Sequence, residues 1–223
     1  MKTQILIVLL ISCALMPICA QQSVFNEFRK DAGDCAALYT GIVEEGYPSL
    51  QYVNHPYWDT DEFQNGDICY KGLLYTNIKL RYDSFKKSLI VISPEKQIGI
   101  HVDMRKVYYF ILNNKKFMLQ GNNYVALLYQ SPQMQLTEHL SCKLGTPVEK
   151  HNIRYQQFKR KVRYNLNLNG VNHNVYSRTS ILKLFPLYKK QLKEYAKANL
   201  SFDTQRTKAL IALIKYADTL KVE

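Results

Sequence analysis

The sequence predicts an α+β fold that is mainly β: an antiparallel β-meander, or a partly open barrel, followed by a C-terminal helical hairpin. Between about positions 66 and 176, apolar and polar residues alternate in short runs separated by turn residues, which is typical of antiparallel strands. After position 176 the apolar residues recur with the helical period of about 3.6. We therefore divide the chain into a signal peptide at 1–20, a β domain at 21–176, and a helical segment at 177–223 that packs on the sheet.

The first 20 residues have the order of a secretory signal peptide. Lys2 precedes an apolar run at 5–11, and the small-residue exit Cys19-Ala20 follows. Because the run is shorter than the roughly 20 apolar residues of a membrane span, we expect cleavage after Ala20 and no transmembrane segment in the mature protein. The alternative is a lipoprotein signal, since residues 10–13 have the shape of a lipidation box that would acylate Cys13.

The chain is basic, with 30 Lys and Arg against 18 Asp and Glu and a formal net charge of +12. In a cytoplasmic protein this charge suggests a nucleic-acid partner. For an exported chain it favours anionic envelope surfaces or acidic glycans, so we expect no nucleic-acid partner. The simpler alternative is that solvated lysines keep the protein soluble.

Cys35, Cys69 and Cys142 remain after the predicted signal peptide is removed. Three cysteines cannot all pair with one another. We expect at most one disulfide, which an oxidising compartment permits, and the sequence leaves both the pairing and the oligomeric state open.

The first predicted hairpin joins a strand at 68–70 to one that starts at Leu74, through the turn Lys71-Gly72. Alternate residues of a strand share a face. The set predicted to share one face of the second strand is Leu74, Thr76, Ile78, Leu80 and Tyr82. Further predicted strands cover 89–92, 98–102, 107–112, 117–120, 124–129 and 136–144.

Residues 145–160 are polar and basic without a clear period, and we interpret them as a surface excursion. Alternation resumes at 162–168. Asn169-Gly170 then supplies the residues that a type I′ hairpin turn requires, and the return strand is predicted to end near Tyr176.

The helical segment is predicted to begin with Ser180 as the N-cap. Pro186 lacks a backbone donor, so it either kinks this helix or starts a second one. Asp203 is the predicted cap of the last helix.

Motifs that would identify an enzyme class are missing: the sequence has no nucleophile elbow, no metalloprotease motif, no phosphate-binding glycine loop and no Cys-x-x-Cys pair. Enzyme activity is left uncertain, and no cofactor and no metal are expected. His139 and Cys142 point to opposite faces of one strand, so they cannot share a metal ion.

His101 and Asp103 share the face of their strand that is opposite the apolar residues. They are candidates for a general base and its orienting carboxylate, although a polar outer sheet face explains them equally well. A small hydrolase that uses His101, Asp103 or Cys69 is therefore the alternative function.

His55, Tyr57, Trp58 and Asp59 form an aromatic, proline-bearing loop ahead of the meander. Loops of this composition bind ligands or partner proteins. The alternative is that the loop folds back and buries Tyr57 and Trp58 as a lid over the sheet.

The densest positive cluster consists of Arg154, Lys159, Arg160, Lys161 and Arg163. Such a cluster can bind an anionic glycan or a lipid headgroup, or it can be a solvated surface. A basic adaptor for anionic lipid or glycan is therefore a third functional class.

The run GDICYKGLLYTNIKLRY at 66–82, together with 39–41, 55–57 and the closing segment 180–220, resembles a group of secreted Bacteroidetes envelope proteins of unknown function. The resemblance implies a β-meander with C-terminal helices. It also implies an exported protein that is periplasmic, or extracellular and associated with the outer membrane, and it transfers no site. The leading hypothesis is a non-enzymatic binding or accessory module for a protein or glycan partner.

Overall fold

The computed structural model describes residues 32–33, 36–47 and 51–222. The fold is mainly β, with 46% strand and 21% helix, and it consists of one open mixed sheet of 13 strands followed by three C-terminal helices. The predicted fold class is therefore confirmed. The predicted signal peptide, Cys13 and Cys35 lie outside the described residues.

In the described part of the chain, thirteen strands precede the three C-terminal helices. They are β1 Ile42–Val43, β2 Gln51–Val53, β3 Gln64–Tyr70, β4 Leu73–Asp83, β5 Ser88–Ile92, β6 Gly99–His101, β7 Val107–Leu112, β8 Lys115–Gln120, β9 Asn123–Gln130, β10 Met134–Leu144, β11 Val148–Lys150, β12 Ile153–Leu168 and β13 Val171–Asn174. The helices are α1 Arg178–Leu182, α2 Lys189–Asn199 and α3 Arg206–Val222. Within the described residues, none of the helices has the length and apolar character needed to cross a membrane.

The strands lie in the order β1-β6-β5-β4-β3-β7-β8-β9-β10-β12-β11, and β13 and β2 also pair with β12. Neighbours are antiparallel except β2, which runs parallel to residues 155–157 of β12. The predicted surface excursion at 145–160 is wrong, because β11 covers 148–150 and β12 starts at Ile153. This part of β12 pairs with β11 and with the distant β2, and local periodicity carries no signal of the β2 contact.

A β-bulge corrects the predicted face of β4. Gly66 pairs with Ile78 and Ile68 pairs with Tyr75, so Thr76 and Asn77 together oppose one residue of β3. Asn77 has φ +53°. The extra residue shifts the alternation, so that Tyr75 is 2% exposed whereas Leu74 and Thr76 are half-buried. The other three residues of the predicted face, Ile78, Leu80 and Tyr82, are buried as expected.

Two hydrophobic clusters lie on the inner face of the sheet. The first is rich in aromatic rings: Phe110 stacks on Phe117 with ring centroids 4.6 Å apart and also contacts Tyr82 and Tyr124. The second joins Met134 and the inner residues of β10 and β12 to the three helices. The helical segment therefore packs on the end of the sheet that β10 and β12 form.

The termini of the helices differ from the prediction. Ser177, not Ser180, is the N-cap of α1: its Oγ accepts a hydrogen bond from the Ser180 N–H at 3.2 Å, and the Ser180 Oγ accepts one from the Ser177 N–H at 3.1 Å. Pro186 lies between α1 and α2, where a break was predicted. Helix α3 begins at Arg206, so Asp203 is not its cap.

The Asn-Gly hairpin is confirmed. Asn169 and Gly170 have φ values of +50° and +86°, as a type I′ turn requires. The return strand β13 ends at Asn174, two residues before the predicted end. Cys69 and Cys142 are free thiols.

Candidate functional site

The aromatic loop is buried as a lid, so the second of the two interpretations of this segment is confirmed. Tyr57 and Trp58 are 7% and 6% exposed. The backbone N–H of Trp58 donates to the Tyr82 carbonyl at 2.8 Å. The indole lies edge-on to the ring of Phe117, with ring centroids 4.9 Å apart. Trp58 is therefore a core residue and not an exposed binding platform.

The other two loop candidates have partners within the fold. The half-buried His55 stacks on Tyr57, with ring centroids 6.1 Å apart. The carboxylate of Asp59 accepts a hydrogen bond from Asn113 Nδ2 at 2.9 Å. The loop as a whole thus contributes to packing and leaves no cluster of ligand-binding side chains together.

Arg81 on β4 fastens this loop to the sheet. Its guanidinium lies between the rings of Tyr57 and Phe63, 4.0 and 4.2 Å from their centroids. Nη2 donates to both carboxylate oxygens of Glu44 at 2.9 and 2.8 Å, and Nη1 donates to the Asp61 carbonyl at 2.7 Å. Burial raises the pKa of the Tyr57 phenol, which also donates to Glu44. Sequence reasoning missed this network because its members are far apart along the chain.

His101 and Asp103 have separate partners. His101 Nδ1 lies 2.6 Å from Ser88 Oγ, and burial, with the positive charge of Lys86 second, lowers the pKa of this imidazole. Asp103 caps a short 3-10 turn and pairs with Arg105 and Lys106. The Arg105 side chain, as the largest effect, lowers the pKa of the Asp103 carboxyl.

Cys69 does not complete a catalytic group with His101. It lies on β3, three strands from β6 in the sheet, and strand spacings of about 4.8 Å place it roughly 14 Å from His101. The pair that the fold does bring together is Ser88 and His101, which sequence reasoning had not joined.

The predicted basic patch divides between the two sides of β12. Lys159, Lys161 and Arg163 alternate with the buried residues of this strand and lie on the outer face of the sheet, opposite the two hydrophobic clusters. Arg160 has the other parity and is paired with the buried Cys142. Arg154 lies directly across from Glu149 of β11. Only three of the five predicted residues therefore share a face.

A polar groove of about 410 Å³ lies on this outer face, between the β8–β9 turn and β13. We call it the amide groove. Val125, which is 5% exposed, is an apolar residue in its lining. Its polar side chains are Gln120, Asn123, Thr137, His139, Arg163, Asn165, Asn172 and Asn174.

Asparagine side chains of β12 and β13 are held in a defined arrangement at one end of the groove. Asn165 pairs with Asn174, and Asn167 pairs with Asn172. The amide nitrogens of Asn165 and Asn167 both donate to Asn172 Oδ1 at 3.0 Å. These bonds orient the amides before any ligand arrives.

Positively charged side chains lie beside the amide groove on β10 and β12. Lys143 lies directly opposite Lys159, and His139 lies directly opposite Arg163. Burial lowers the pKa of His139, and the charges of Arg163 and Lys87 lower it further. His139 is therefore mainly neutral at neutral pH, and the permanent charges are those of the lysines and Arg163.

The asparagine residues were missed by sequence reasoning although a signal was present. In the segment NLNLNGVNHN at 165–174, asparagines recur at every second position on both sides of the Asn-Gly turn. A two-residue turn places such residues on the same face of a hairpin.

Within the described ranges, no group of three or more His, Cys, Asp or Glu side chains is placed to hold a metal ion. The amide groove brings eight polar side chains together on the outer face of the sheet. Comparison of the chain with protein-family models, with curated proteins and with solved structures finds no match.

Proposed function

We propose that the protein is an exported, non-enzymatic envelope module whose amide groove binds a glycan. The observation that carries the proposal is the fixed set of asparagine amides on β12 and β13, together with the remaining polar lining of the groove. The export and envelope parts of the proposal depend on the residue pattern of the first 20 positions and on the resemblance described above.

Amide side chains suit sugar hydroxyls because both groups donate and accept hydrogen bonds. Asn172 Oδ1 is already occupied by two neighbouring amides, so its nitrogen is oriented to donate. A preorganised amide loses less conformational entropy on binding than a free one.

The size of the groove favours a small or chain-like ligand over a folded protein. About 410 Å³ lies within the range of roughly 300–1,000 Å³ that is usual for small-molecule sites. A stable protein–protein interface buries about 800 Å² on each partner, and such interfaces have a fully buried core of aromatic and other apolar residues. The polar lining of the groove offers no such core.

The test is binding of the mature chain to a panel of neutral and acidic oligosaccharides, measured by calorimetry. We expect Asn172→Ala and Asn174→Ala to weaken binding by about tenfold, the equivalent of one good hydrogen-bonding position. His173→Ala is the matched control, because His173 lies between them on β13 with the opposite parity and should change binding little. A folded protein that binds no glycan of the panel contradicts the proposal.

A second candidate function rests on the contact between Ser88 and His101. The 2.6 Å separation of Ser88 Oγ and His101 Nδ1 is the geometry of a nucleophile beside its base, and the lowered pKa keeps the imidazole able to accept a proton. A fluorophosphonate probe should then label Ser88 in the native chain but not in Ser88→Ala or His101→Ala. Absence of labelling in the native chain contradicts this candidate.

A further inference from the structure

The amide groove continues into a strip of four exposed cations on the outer face: Lys143, Lys159, Lys161 and Arg163. We propose that the ligand is an acidic polysaccharide whose carboxylate or sulfate groups lie along this strip. The inference rests on the proposed glycan-binding function and names the class of glycan.

The cations form a regular array. Alternate residues of a strand are about 6.6 Å apart, so Lys159, Lys161 and Arg163 offer three positive charges along roughly 13 Å of β12. Arg163 also lines the amide groove. A linear ligand that lies along the strip can therefore also reach the groove.

The array is electrostatically unfavourable in the free protein. Lys143 and Lys159 are directly opposite each other on β10 and β12, and like charges in this position destabilise a sheet. An anion bound between the two lysines offsets their repulsion, because it attracts both. The geometry is thus complementary to a ligand with several negative charges.

Acidic side chains are absent from the neighbouring outer positions. The outward residues of β10 from 135 to 143 are Gln, Thr, His, Ser and Lys, and those of β12 beyond Arg163 are asparagines. None of the ion pairs formed within the described residues includes a cation of the strip, whereas Arg81, Arg105, Lys106 and Lys115 each pair with a carboxylate.

The composition of the groove favours a polysaccharide over other polyanions. Single-stranded nucleic acid is usually held by several aromatic side chains on which its bases stack, and the residues that line the amide groove include no Phe, Tyr or Trp. A lipid surface is usually bound through apolar residues that enter the membrane interface as well as through charge, and the apolar side chain in the groove lining, Val125, is buried. The groove instead offers amide and hydroxyl groups beside its charges.

The experiment compares polysaccharides that differ in charge alone. Binding of the full mature chain is measured to a polyuronate and to the same polymer with its carboxyl groups reduced, and to dextran sulfate and dextran. We expect at least one acidic polymer to bind about tenfold more tightly than its neutral partner, with an affinity that falls as NaCl rises from about 50 to about 300 mM. Comparison of the two acidic polymers separates carboxylate from sulfate recognition.

Two double variants of equal charge locate the binding face. Lys159→Gln with Lys161→Gln removes two charges of the strip, and Arg154→Gln with Arg160→Gln removes two charges of β12 that lie off it. We expect the first to lose the preference for the acidic polymer and the second to keep it. Equal losses would attribute binding to net charge and overturn the inference.

The remaining outcomes separate the inference from the proposed function. If neutral and acidic polymers bind equally and Asn172→Ala weakens both, the groove binds glycans and the acidic class is wrong. If a thymidine oligonucleotide displaces the acidic polymer at equal charge concentration, the ligand is not defined as a glycan and the inference is wrong. If no polymer binds the folded chain, both proposals are wrong.

Discussion

Removing the charge of Arg81 should destabilise the fold more than removing the charge of an exposed side chain. In Arg81→Met, the unbranched side chain still fills the space between Tyr57 and Phe63. The Glu44 carboxylate, which is 7% exposed, is left without its cation. Loss of one partner of a buried ion pair costs about 3–5 kcal/mol, which corresponds to a fall of roughly 6–20 °C in the melting temperature of a chain of this size.

The assay is urea unfolding followed by tryptophan fluorescence. Trp58 is the only tryptophan of the chain and is buried beside the segment that Arg81 fastens, so its emission reports on this region directly. The double variant Arg81→Met with Glu44→Gln removes both charges and should recover part of the loss, because no uncompensated charge remains. A loss of less than about 1 kcal/mol in the single variant, with no coupling in the double-mutant cycle, would mean that the pair behaves as a solvated surface pair and would refute the reasoning.

Further outcomes are expected for Phe110, Gly170 and His139. Phe110→Ala removes a fully buried ring and should lower the free energy of unfolding by about 3–5 kcal/mol in chemical denaturation. Gly170→Ala places a Cβ at φ +86° and should lower it by about 1 kcal/mol or more; an unchanged melting temperature would contradict the type I′ turn. Because the pKa of His139 is held below its usual 6.5 by burial first and by Arg163 and Lys87 next, its protonation opposes folding, so stability should fall as the pH drops below about 6.5. Protonation also adds a positive charge to the amide groove, so binding of an acidic polymer should strengthen over the same range. His139→Gln should remove this gain in binding, whereas part of the fall in stability should remain because burial also lowers the pKa of His101.

Local patterns in the sequence predicted the parts of the fold that depend on local interactions. The alternation around Ile78, Leu80 and Tyr82 and the turn at Asn169-Gly170 depend on residues within a few positions of one another. The bulge at Asn77 breaks the period by one residue, and the rule of strict alternation therefore misplaced Tyr75.

Contacts between distant segments were beyond such rules. The first residues of β12 pair with the neighbouring β11 and also with β2, which lies about 100 positions earlier in the chain. The burial of Trp58 likewise depends on the docking of its loop against β4 and Phe117. Composition identified the loop as aromatic, and only the fold decided between an exposed platform and a lid.

The candidate site was predicted in part. Lys159, Lys161 and Arg163 were named from charge alone, and parity separates them from Arg160. The amides of Asn165 and Asn172 were readable from the same parity rule, but they carry no charge or reactive group that draws attention in a sequence. Their grouping becomes evident once the hairpin of β12 and β13 is paired.

The number of residues in β12 is constrained by the fold, and this constraint would not be detected by substitutions. This strand turns Phe158, Tyr164 and Leu166 inward and Lys161 and Arg163 outward within 16 residues. Because each added or lost residue moves every side chain beyond it to the other face, a single-codon insertion near position 160 would turn Lys161 and Arg163 inward and Tyr164 and Leu166 toward water. Natural variants of this chain should therefore keep the residue count of β12 fixed even where they exchange individual side chains.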